Sequence, residues 1–500
     1  MIFGKTLATA LSLILVHSAT VQSQAPTTNI LTGCVTTYDA TIDYFPQKLD
    51  TCNNLFSGIS CLLLYIVWSL TSSDIPANFT NLAITYSKNY KTIVNSFSKE
   101  TIVLYQCGTP KPTVAGATLI TSVPITNLSI SDTTIVTYLE LLGQRSAIKY
   151  TTAGTLSYIS SPCIQAMAAA NPPTIAEADS KNAKNGIAQV ASTNVYFQYM
   201  GPWTANVTNE VTFPATADPG MKGRGEWLGF LGAFFNLEAT ANQISSTIFS
   251  NYATLSAAAK AAAPATKLNV AWIYYQPFYS AQYPASWQIS YNQYIQDYTT
   301  AAGAAAFVPA STAGANVVGA NSMATVYTYN SSSTFLSALS NADVVIDLSF
   351  NTLNSTSFMT NYGIQATSTA KYIANKQVYT LNQQISPANG GNMWFESAVV
   401  LQNVVLADLI SVLNPSVLGS SYTPTYIRSV FSSAKQTVLT ASQCTSQTAP
   451  VQVPIISVGA APTASPSAGA TGAAQGTTTG AAPSAKALSF TVALAAALLI

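Results

Sequence analysis

The sequence predicts an α/β protein of two lobes with mainly parallel sheets, bridged by a single long α-helix. Between residues 82 and 213, short β-rich runs alternate with helical ones, as in "TIVLYQC" (101–107) followed by "TTIVTYLELLG" (133–143). The alternation returns in the second half, where "LNVAWIYY" (268–275) precedes "SWQISYNQYIQDYTTAAG" (286–303). Such alternation is typical of βαβ units. A third observation, an aromatic-rich helical stretch between the two halves, predicts the bridge.

The predicted bridging helix begins at Arg224, Glu226 and Trp227. Apolar residues recur at steps of three and four from Trp227 to Ile248, which indicates an amphipathic helix. Continued to about Ser256, it would be roughly 50 Å long at 1.5 Å per residue. The periodicity alone also allows an ordinary amphipathic helix within one larger domain.

The two ends of the chain predict export and surface attachment. Residues 1–23 combine Lys5 with an apolar core and small residues, which is typical of a secretory signal. At the other end, a stalk rich in Ser, Thr, Pro, Gly and Ala precedes an apolar tail too short for the roughly 20 residues of a membrane span. This arrangement matches a glycosylphosphatidylinositol (GPI) signal with attachment at Gly472 or Gly476. A single-pass tail anchor or a chance Ala-rich end are the alternatives.

The expected organisation follows from these signals. It comprises a signal peptide (1–23), an N-terminal extension (24–81), an N-terminal lobe (82–222), the interlobe helix (223–262), a C-terminal lobe (263–445), the stalk (446–486) and the hydrophobic tail (487–500). Within the extension, the apolar run at 58–73 is either a buried segment or an unspliced piece of the gene model. We expect a secreted glycoprotein on the outer leaflet of the plasma membrane or in the wall of a eukaryotic, fungal cell.

Composition narrows the choice of partner. Only 7% of the residues are charged, and 19 Lys and Arg against 18 Asp and Glu leave a net charge of +1. Such a balance offers no basic patch for nucleic acid. Glycans would help to keep so uncharged a chain soluble. The candidate acceptor residues, each in an Asn-x-Ser/Thr sequon, are Asn78, Asn127, Asn206, Asn330 and Asn354.

Cysteine and histidine usage limits the chemistry. In an oxidising compartment the six cysteines are expected to pair, with the connectivity left open by the sequence. They are Cys34, Cys52, Cys61, Cys107, Cys163 and Cys444; Cys61 is spurious if the 58–73 run is a gene-model error. The single histidine, His17, lies in the signal peptide, so the mature chain has no imidazole for catalysis or metal ligation. Glu226 and Glu396 could serve as a glycosidase pair, but no local pattern marks either of them. We therefore expect a protein that is not an enzyme and that has no resident cofactor or metal.

Several stretches occur in an order that resembles a known family. They are "DYFPQKL" (43–49), "VLYQCGTPKP" (103–112), "ELLGQRSAI" (140–148), the central 223–242 segment and "GGNMWFESAVVLQNVVLADLISVLNPSVL" (390–418). In this order they resemble the periplasmic substrate-binding proteins that take chelated iron, siderophores or cobalamin, known as the helical-backbone or class III type. The resemblance implies two Rossmann-like lobes joined by one long helix, and a ligand held between them. It also implies acidic docking residues for an importer on the outer face of each lobe, for which Glu140 and Glu396 are the equivalents. GPI anchoring departs from that family's role as carrier to an importer, so the transporter or receptor partner stays open.

In open α/β sheets a ligand lies beyond the carboxyl ends of the strands. This rule selects hydroxyl, amide and aromatic residues in the loops that follow the predicted strands, together with two tryptophans expected to open helices. The candidates are Thr109, Ser131, Thr151, Tyr199, Tyr274, Tyr275, Gln276, Trp287, Ser349 and Trp394. Tyr and Trp suit a ring system or a chelate, although core or surface packing is the alternative for each residue. We expect a small-molecule ligand, such as an iron chelate, haem or cobalamin. A structural or adhesive wall glycoprotein is the alternative function.

Overall fold

The computed structural model describes residues 25–50, 81–199, 207–319, 325–350, 354–388 and 391–459. The strands in these ranges are β1 (Leu82–Tyr86), β2 (Tyr90–Asn95), β3 (Glu100–Gln106), β4 (Leu119–Val123), β5 (Leu128–Ile130), β6 (Ile148–Thr151), β7 (Ala176–Glu177), β8 (Val195–Gln198), β9 (Glu210–Thr212), β10 (Asn269–Gln276), β11 (Ser286–Ser290), β12 (Ala305–Ala306), β13 (Ala315–Val318), β14 (Val326–Tyr329), β15 (Val344–Asp347), β16 (Val378–Thr380), β17 (Gln384–Ile385), β18 (Arg428–Ser429) and β19 (Thr437–Val438). The helices are α1 (Ile135–Leu141), α2 (Pro162–Ala169), α3 (Ala183–Ala191), α4 (Met221–Phe234), α5 (Glu238–Ala261), α6 (Gln293–Ala301), α7 (Ser332–Ala338), α8 (Ser355–Tyr362), α9 (Lys371–Ala374), α10 (Met393–Ser397) and α11 (Gln402–Leu413).

The N-terminal lobe contains two sheets. The first has the order β1-β2-β3-β4 and is antiparallel except for the parallel β3–β4 pair. The second has the order β7-β6-β5-β8-β9 and is parallel throughout. Every residue of β5 and β8 is buried, as expected for parallel strands covered on both faces. The α/β character predicted from the alternating runs is confirmed here.

The C-terminal lobe has an eight-stranded sheet of order β13-β14-β11-β10-β15-β16-β18, with β12 also pairing with β10. Its central strands β10, β15 and β16 are parallel, whereas β11, β13, β14 and β18 pair antiparallel. Alternation along β10 places Trp272 and Tyr274 on the sheet face that adjoins the larger hydrophobic core. Ile273 and Tyr275 lie on the opposite face, in a smaller core.

The prediction of one unbroken bridging helix is wrong. The segment forms α4 and α5, separated at Phe235–Leu237, where Asn236 adopts a left-handed conformation with φ 59°. The two helices fold back on each other. A Cβ on Gly225 of α4 would come within 3.0 Å of the Phe249 ring of α5, and one on Gly232 within 3.0 Å of Ala241. An αα-hairpin therefore takes the place of the predicted rod.

Asn236 ends α4 because asparagine tolerates the left-handed region and because its side chain is held by distant partners. Its Oδ1 accepts a hydrogen bond from Lys91 Nζ at 3.0 Å. Its Nδ2 donates to the carbonyl of Ile30 and to Gln106 Oε1. The break in the helix thus joins the N-terminal segment, the first sheet and the helix pair.

The helix pair lies inside the protein core. Residues of α4, among them Trp227, Phe230 and Phe234, are buried in a hydrophobic cluster that runs from the first sheets to one face of the C-terminal sheet. Phe197 and Phe213 of the N-terminal lobe make edge-to-face contacts with these rings. The predicted helix start does lie between the lobes, because the Arg224 guanidinium is 3.6 Å from the centroid of Tyr294 in α6.

Two disulfides occur among the described residues, Cys34–Cys107 and Cys163–Cys444. The second joins α2 of the N-terminal lobe to the C-terminal tail. The tail is also held by Arg145, whose Nη1 donates to the carbonyls of Ser446 and Ala449. The chain therefore returns from the second lobe to the first.

Several sequence predictions fall outside the described residues. These are the signal peptide, the 58–73 run, Cys52, Cys61, Asn78, Asn206, Gly472, Gly476 and the apolar tail. Among the described helices, none has the length and apolar character needed to cross a bilayer. Of the remaining sequons, Asn330 and Asn354 are exposed and Asn127 is half-buried.

Candidate functional site

The carboxyl ends of the parallel N-terminal strands bring two predicted site residues together. Ser131 follows β5, and its Oγ accepts a hydrogen bond from the backbone N–H of Tyr199 after β8, at 3.0 Å. The hydroxyls of Thr152 and Thr155 donate to the Ser131 carbonyl. Thr151 is fully buried and its hydroxyl is directed at its own neighbour's carbonyl, so it is not a wall residue.

Thr109 does not join this group. It follows β3 of the other sheet, where it is buried. Its hydroxyl donates to the carbonyl of Gln106 and accepts a hydrogen bond from Asn89. Its role in the structure is to close the turn after β3.

The C-terminal lobe places its predicted residues on both faces of the sheet. The backbone N–H of Tyr275 donates to Ser349 Oγ at 2.7 Å, which links the ends of β10 and β15. The Tyr275 ring lies 5.8 Å from that of Trp287, in the smaller core on the outer face. Trp287 belongs to strand β11 and opens no helix, contrary to the prediction, because the alternating "SWQIS" run pairs with β10 and β14.

Tyr274 and Gln276 lie on the inner face, and the Tyr274 hydroxyl donates to Gln276 Oε1 at 3.3 Å. Trp394 opens helix α10 as predicted. Its ring is buried against Trp272, at a centroid distance of 6.0 Å, and against Tyr426, at 5.8 Å. Trp394 is therefore a packing residue beneath the inner face of the sheet.

Phe395 brings the two lobes together. Its ring stacks on Phe350, which follows β15, with centroids 4.6 Å apart and planes 5° from parallel. Its backbone carbonyl accepts a hydrogen bond from the hydroxyl of Thr134, at the start of α1 in the N-terminal lobe. Segments that follow strands of both lobes thus meet at one residue, Phe395, through its ring on one side and its backbone carbonyl on the other. We call Ser131, Asp132, Phe350 and Phe395 the interlobe site.

Asp132 is the charged member of the interlobe site. It is largely buried, and desolvation raises the pKa of its carboxyl to about 6, although backbone hydrogen bonds from Thr134 and Ile135 oppose the shift. Its Oδ1 accepts the N–H of Thr134 at 2.6 Å. Sequence reasoning missed Asp132, Phe350 and Phe395. The rule that selected Ser131 and Ser349 would have found the first two, since each is the next residue along the chain.

An exposed aromatic loop connects β10 to β11, directly after Tyr274 and Gln276. Phe278, Tyr279 and Tyr283 are 66%, 58% and 57% exposed. The turn is held by backbone hydrogen bonds between residues 279 and 283, and the two tyrosine rings lie edge to face at 6.4 Å. We call residues 277–285 the aromatic loop; it follows the strand that supplies the inner face.

The prediction of Glu140 and Glu396 as exposed docking residues is wrong. Glu396 is fully buried, and its two carboxylate oxygens accept the backbone N–H groups of Ser160 and Ser161 in the other lobe. Glu140 is also buried and accepts hydrogen bonds from Arg145 Nε at 3.1 Å and Ser161 Oγ at 2.6 Å. The Glu396 carboxyl therefore links the two lobes, whereas the Glu140 carboxyl is bonded within the N-terminal lobe.

The buried environment changes the acidity of this pair. Burial, together with the nearby Glu140 carboxyl, raises the pKa of Glu396 to about 8, against the hydrogen bonds from Ser160 and Ser161, which lower it. Burial likewise raises the pKa of Glu140, opposed by Ser161 and Arg145. The structure thus favours a proton on at least one of the two carboxyls at neutral pH.

Glu226 is largely buried at the start of α4, and its Oε1 lies 3.8 Å from Lys222 Nζ. Burial raises the pKa of Glu226 to about 7, with Lys222 opposing the shift and Asp218 adding to it. Its other oxygen is buried with no hydrogen-bond partner among the described residues. Glu396 interacts with a different set of groups, so the described contacts do not bring the proposed glycosidase pair together. Within the described ranges, no cluster of three or more His, Cys, Asp or Glu residues could hold a metal ion.

Comparison with known proteins gives matches among solved structures alone. No family model matches the sequence, and no curated protein matches it. The chain is similar in structure to the periplasmic haem-binding protein HutB of Vibrio cholerae, with 13% identity, a TM-score of 0.40, and coverage of 58% of this chain and 99% of that one. Helicobacter pylori CeuE with Ni(II) bound gives 12% identity, a TM-score of 0.41, and coverage of 61% and 89%. A periplasmic binding protein from Veillonella parvula has 10% identity and a TM-score of 0.41, and the match covers 67% of this chain and 98% of that one. These values are too low to carry a ligand over to this chain.

Proposed function

We propose that this protein is a cell-surface solute-binding protein that holds a small ring-containing or chelate ligand between its lobes without transforming it. The observation that supports the proposal is the double contact of Phe395, which stacks on Phe350 and accepts a hydrogen bond from Thr134 of the other lobe. It brings the carboxyl ends of two sheets to one place, where open α/β folds bind ligands. Iron chelates, haem and cobalamin are the ligand classes proposed.

The side chains at this place suit capture more than catalysis. Half-buried Tyr199, Tyr274 and Phe350 offer flat contact area with few polar groups. The mature chain has no histidine if His17 is removed with the signal peptide. Glu396 uses both carboxylate oxygens to bind backbone N–H groups, so it has no free oxygen with which to attack a substrate.

The secretory signal and the C-terminal tail support a GPI-anchored location, with the ligand taken up at the outer face of the cell. Any importer would need another docking surface, because Glu140 and Glu396 are buried.

The test is a thermal-shift screen of the purified protein with ferric siderophores, haem, cobalamin and bare metal salts. A ligand at about 100 times its Kd should raise the free energy of unfolding by roughly 2.7 kcal/mol. Phe395→Ala should abolish the shift, whereas Trp287→Phe, on the outer face of the sheet, should retain it. Changing Phe278 and Tyr279 to Ser should leave stability within about 0.5 kcal/mol because both side chains are exposed. If the aromatic loop contacts the ligand, the same change should weaken binding.

A structural or adhesive wall glycoprotein is the second candidate. It is favoured by two links between the lobes, the hydrogen bond from Ser160 to Glu396 and the Cys163–Cys444 disulfide, which limit how far the lobes can separate. Binding to insoluble wall polysaccharide, together with no thermal shift across the whole panel, would support this function against solute capture.

A further inference from the structure

A concave site lies at the amino ends of the strands of the parallel N-terminal sheet, opposite the carboxyl ends that reach the interlobe site. A pocket of about 370 Å³ is formed at the amino ends of β5, β6 and β7 and beside the end of α3. Asn127, Lys149, Tyr150, Thr174 and Ser192 are among the residues that line it. The lining combines one aromatic ring with hydroxyl, amide and ammonium groups.

Asn127 is the acceptor residue of the sequon Asn127-Leu128-Ser129, so the pocket wall contains a site for covalent attachment of sugar. Its amide is held in place. Asn127 Oδ1 accepts the backbone N–H of Asn194 at 2.7 Å, and the N–H of Asn127 donates to Asn194 Oδ1 at 3.2 Å. Glycosylation replaces one hydrogen on Nδ2 and leaves Oδ1 unchanged, so the modified side chain keeps the same anchor.

We propose that this pocket is the docking site for the first sugars of an N-linked glycan on Asn127. Because the amide is planar and fixed through Oδ1, the first N-acetylglucosamine leaves Nδ2 beside the pocket wall. Tyr150 supplies an apolar ring face for the sugar, and Lys149, Thr174 and Ser192 supply hydrogen-bonding groups for its hydroxyls and acetamide. The proposal depends on passage through the secretory pathway and is independent of the ligand between the lobes.

Two other sequons provide an internal comparison. Asn330 lies between β14 and α7, and Asn354 caps α8 with its Oδ1 bound to the N–H of Ser357. Both are exposed, whereas Asn127 is half-buried. A docked glycan should therefore resist an endoglycosidase in the native protein, while the glycans at Asn330 and Asn354 should not.

The experiment uses the full-length chain expressed in yeast, treated with an endoglycosidase before and after denaturation, with the residual sugar at each site read by mass spectrometry. In the native protein, we expect the Asn127 glycan to be trimmed about tenfold more slowly than the glycans at Asn330 and Asn354, because a tenfold preference for the docked state would leave it free about a tenth of the time. After denaturation, all three glycans should be trimmed equally fast. Tyr150→Ser should remove the protection. The exposed Lys149→Ala should reduce it, and this change is not expected to affect folding.

A melting temperature and circular dichroism spectrum like those of the parent show that the fold of each variant is intact, and unchanged trimming at Asn330 shows that the endoglycosidase is equally active in each sample. An unmodified Asn127 would overturn the proposal, and so would trimming at Asn127 as fast as at the exposed sites. Protection that persists in both wall variants would also overturn it, because half-burial of the asparagine alone would then account for the result.

Discussion

Lys91 and Glu238 form an ion pair in which neither side chain is exposed to solvent. Lys91 belongs to β2, and Glu238 begins α5, directly after the break at Asn236. Asn29 donates to the other oxygen of Glu238 at 2.8 Å, and the Lys91 ammonium lies 4.6 Å from the centroid of Phe45. The pair joins the N-terminal segment and the first sheet to the helix pair.

Removing one charge of this pair should destabilise the protein more than removing both. Lys91→Met leaves Glu238 buried without its counter-ion and should lower the free energy of unfolding by about 3–5 kcal/mol. The double change Lys91→Met with Glu238→Leu should recover part of that loss. Urea unfolding measures both losses. The control is Lys371→Met, which removes the exposed lysine of the Lys371–Asp343 ion pair. A Lys91→Met variant as stable as the parent would contradict the full burial of the ion pair.

Gly225→Ala distinguishes a helix pair from a continuous rod. In an isolated exposed helix the change should stabilise by roughly 1 kcal/mol, because alanine is the better helix former. In this structure the new Cβ would lie 2.7 Å from Gln402 Nε2 and 3.0 Å from the ring of Phe249, so we expect a loss of about 1–3 kcal/mol. Thermal unfolding shows whether Gly225→Ala stabilises or destabilises the protein. The exposed Ser250→Ala in α5 is the control, with an effect within about 0.5 kcal/mol.

Stability should fall as pH rises from about 5 to 8. Glu396 has a pKa of about 8 in the folded protein, above its ordinary value of 4.5, so the folded state binds more protons across this window. Stability from this group is therefore fully present below about pH 4.5 and is lost as pH rises through 8, by up to roughly 1.4 kcal/mol per pH unit. The groups facing Glu396 are Glu140, with its partner Arg145, and the N–H groups of Ser160 and Ser161.

Melting temperatures measured from pH 5 to 8 test this dependence. Glu396→Gln should flatten the profile because it removes the titrating group, although it should also lower stability at pH 5. Glu177→Gln, at an exposed carboxyl, should leave the slope unchanged. A Glu396→Gln profile as steep as that of the parent would assign the pH dependence to other groups, such as Asp408, whose pKa burial raises to about 6.

Replacing Cys163 and Cys444 by serine should lower the free energy of unfolding by about 2–5 kcal/mol, because the disulfide closes a long loop in the unfolded chain. The sequence separation is 281 residues, against 73 for Cys34–Cys107. Chemical denaturation of the two double-serine variants compares the disulfides directly. Equal losses would show that loop length does not decide their contributions.

The sheets were predictable because strand and helix periodicities are local properties of the chain. The runs that form β3 and β10 are apolar enough to identify strands, whereas the three-residue strand β5 was not predicted. The expectation that a ligand lies beyond the carboxyl ends of strands nevertheless included Ser131 and Ser349. The helix break was missed because apolar spacing continues on both sides of Asn236. What stops the helix is an asparagine in the left-handed region, held by Lys91 and Gln106.

The burial of Glu396 could not be read from its neighbours in sequence. A charged residue at the start of a helix is ordinarily exposed. Its partners Ser160 and Ser161 lie more than 200 residues earlier and belong to another lobe. Phe395 was missed for the same reason, since its contacts with Phe350 and Thr134 depend on how the lobes meet.

The bond between Cys163 and Cys444 has a further consequence for proteolysis. It encloses the helix pair, the C-terminal sheet and the exposed aromatic loop within one covalent ring. A protease that cuts a surface loop anywhere between these cysteines would leave both fragments attached to each other. The nicked protein would run at its full mass until a reductant separated the two pieces, so a single cleavage would not by itself release either half.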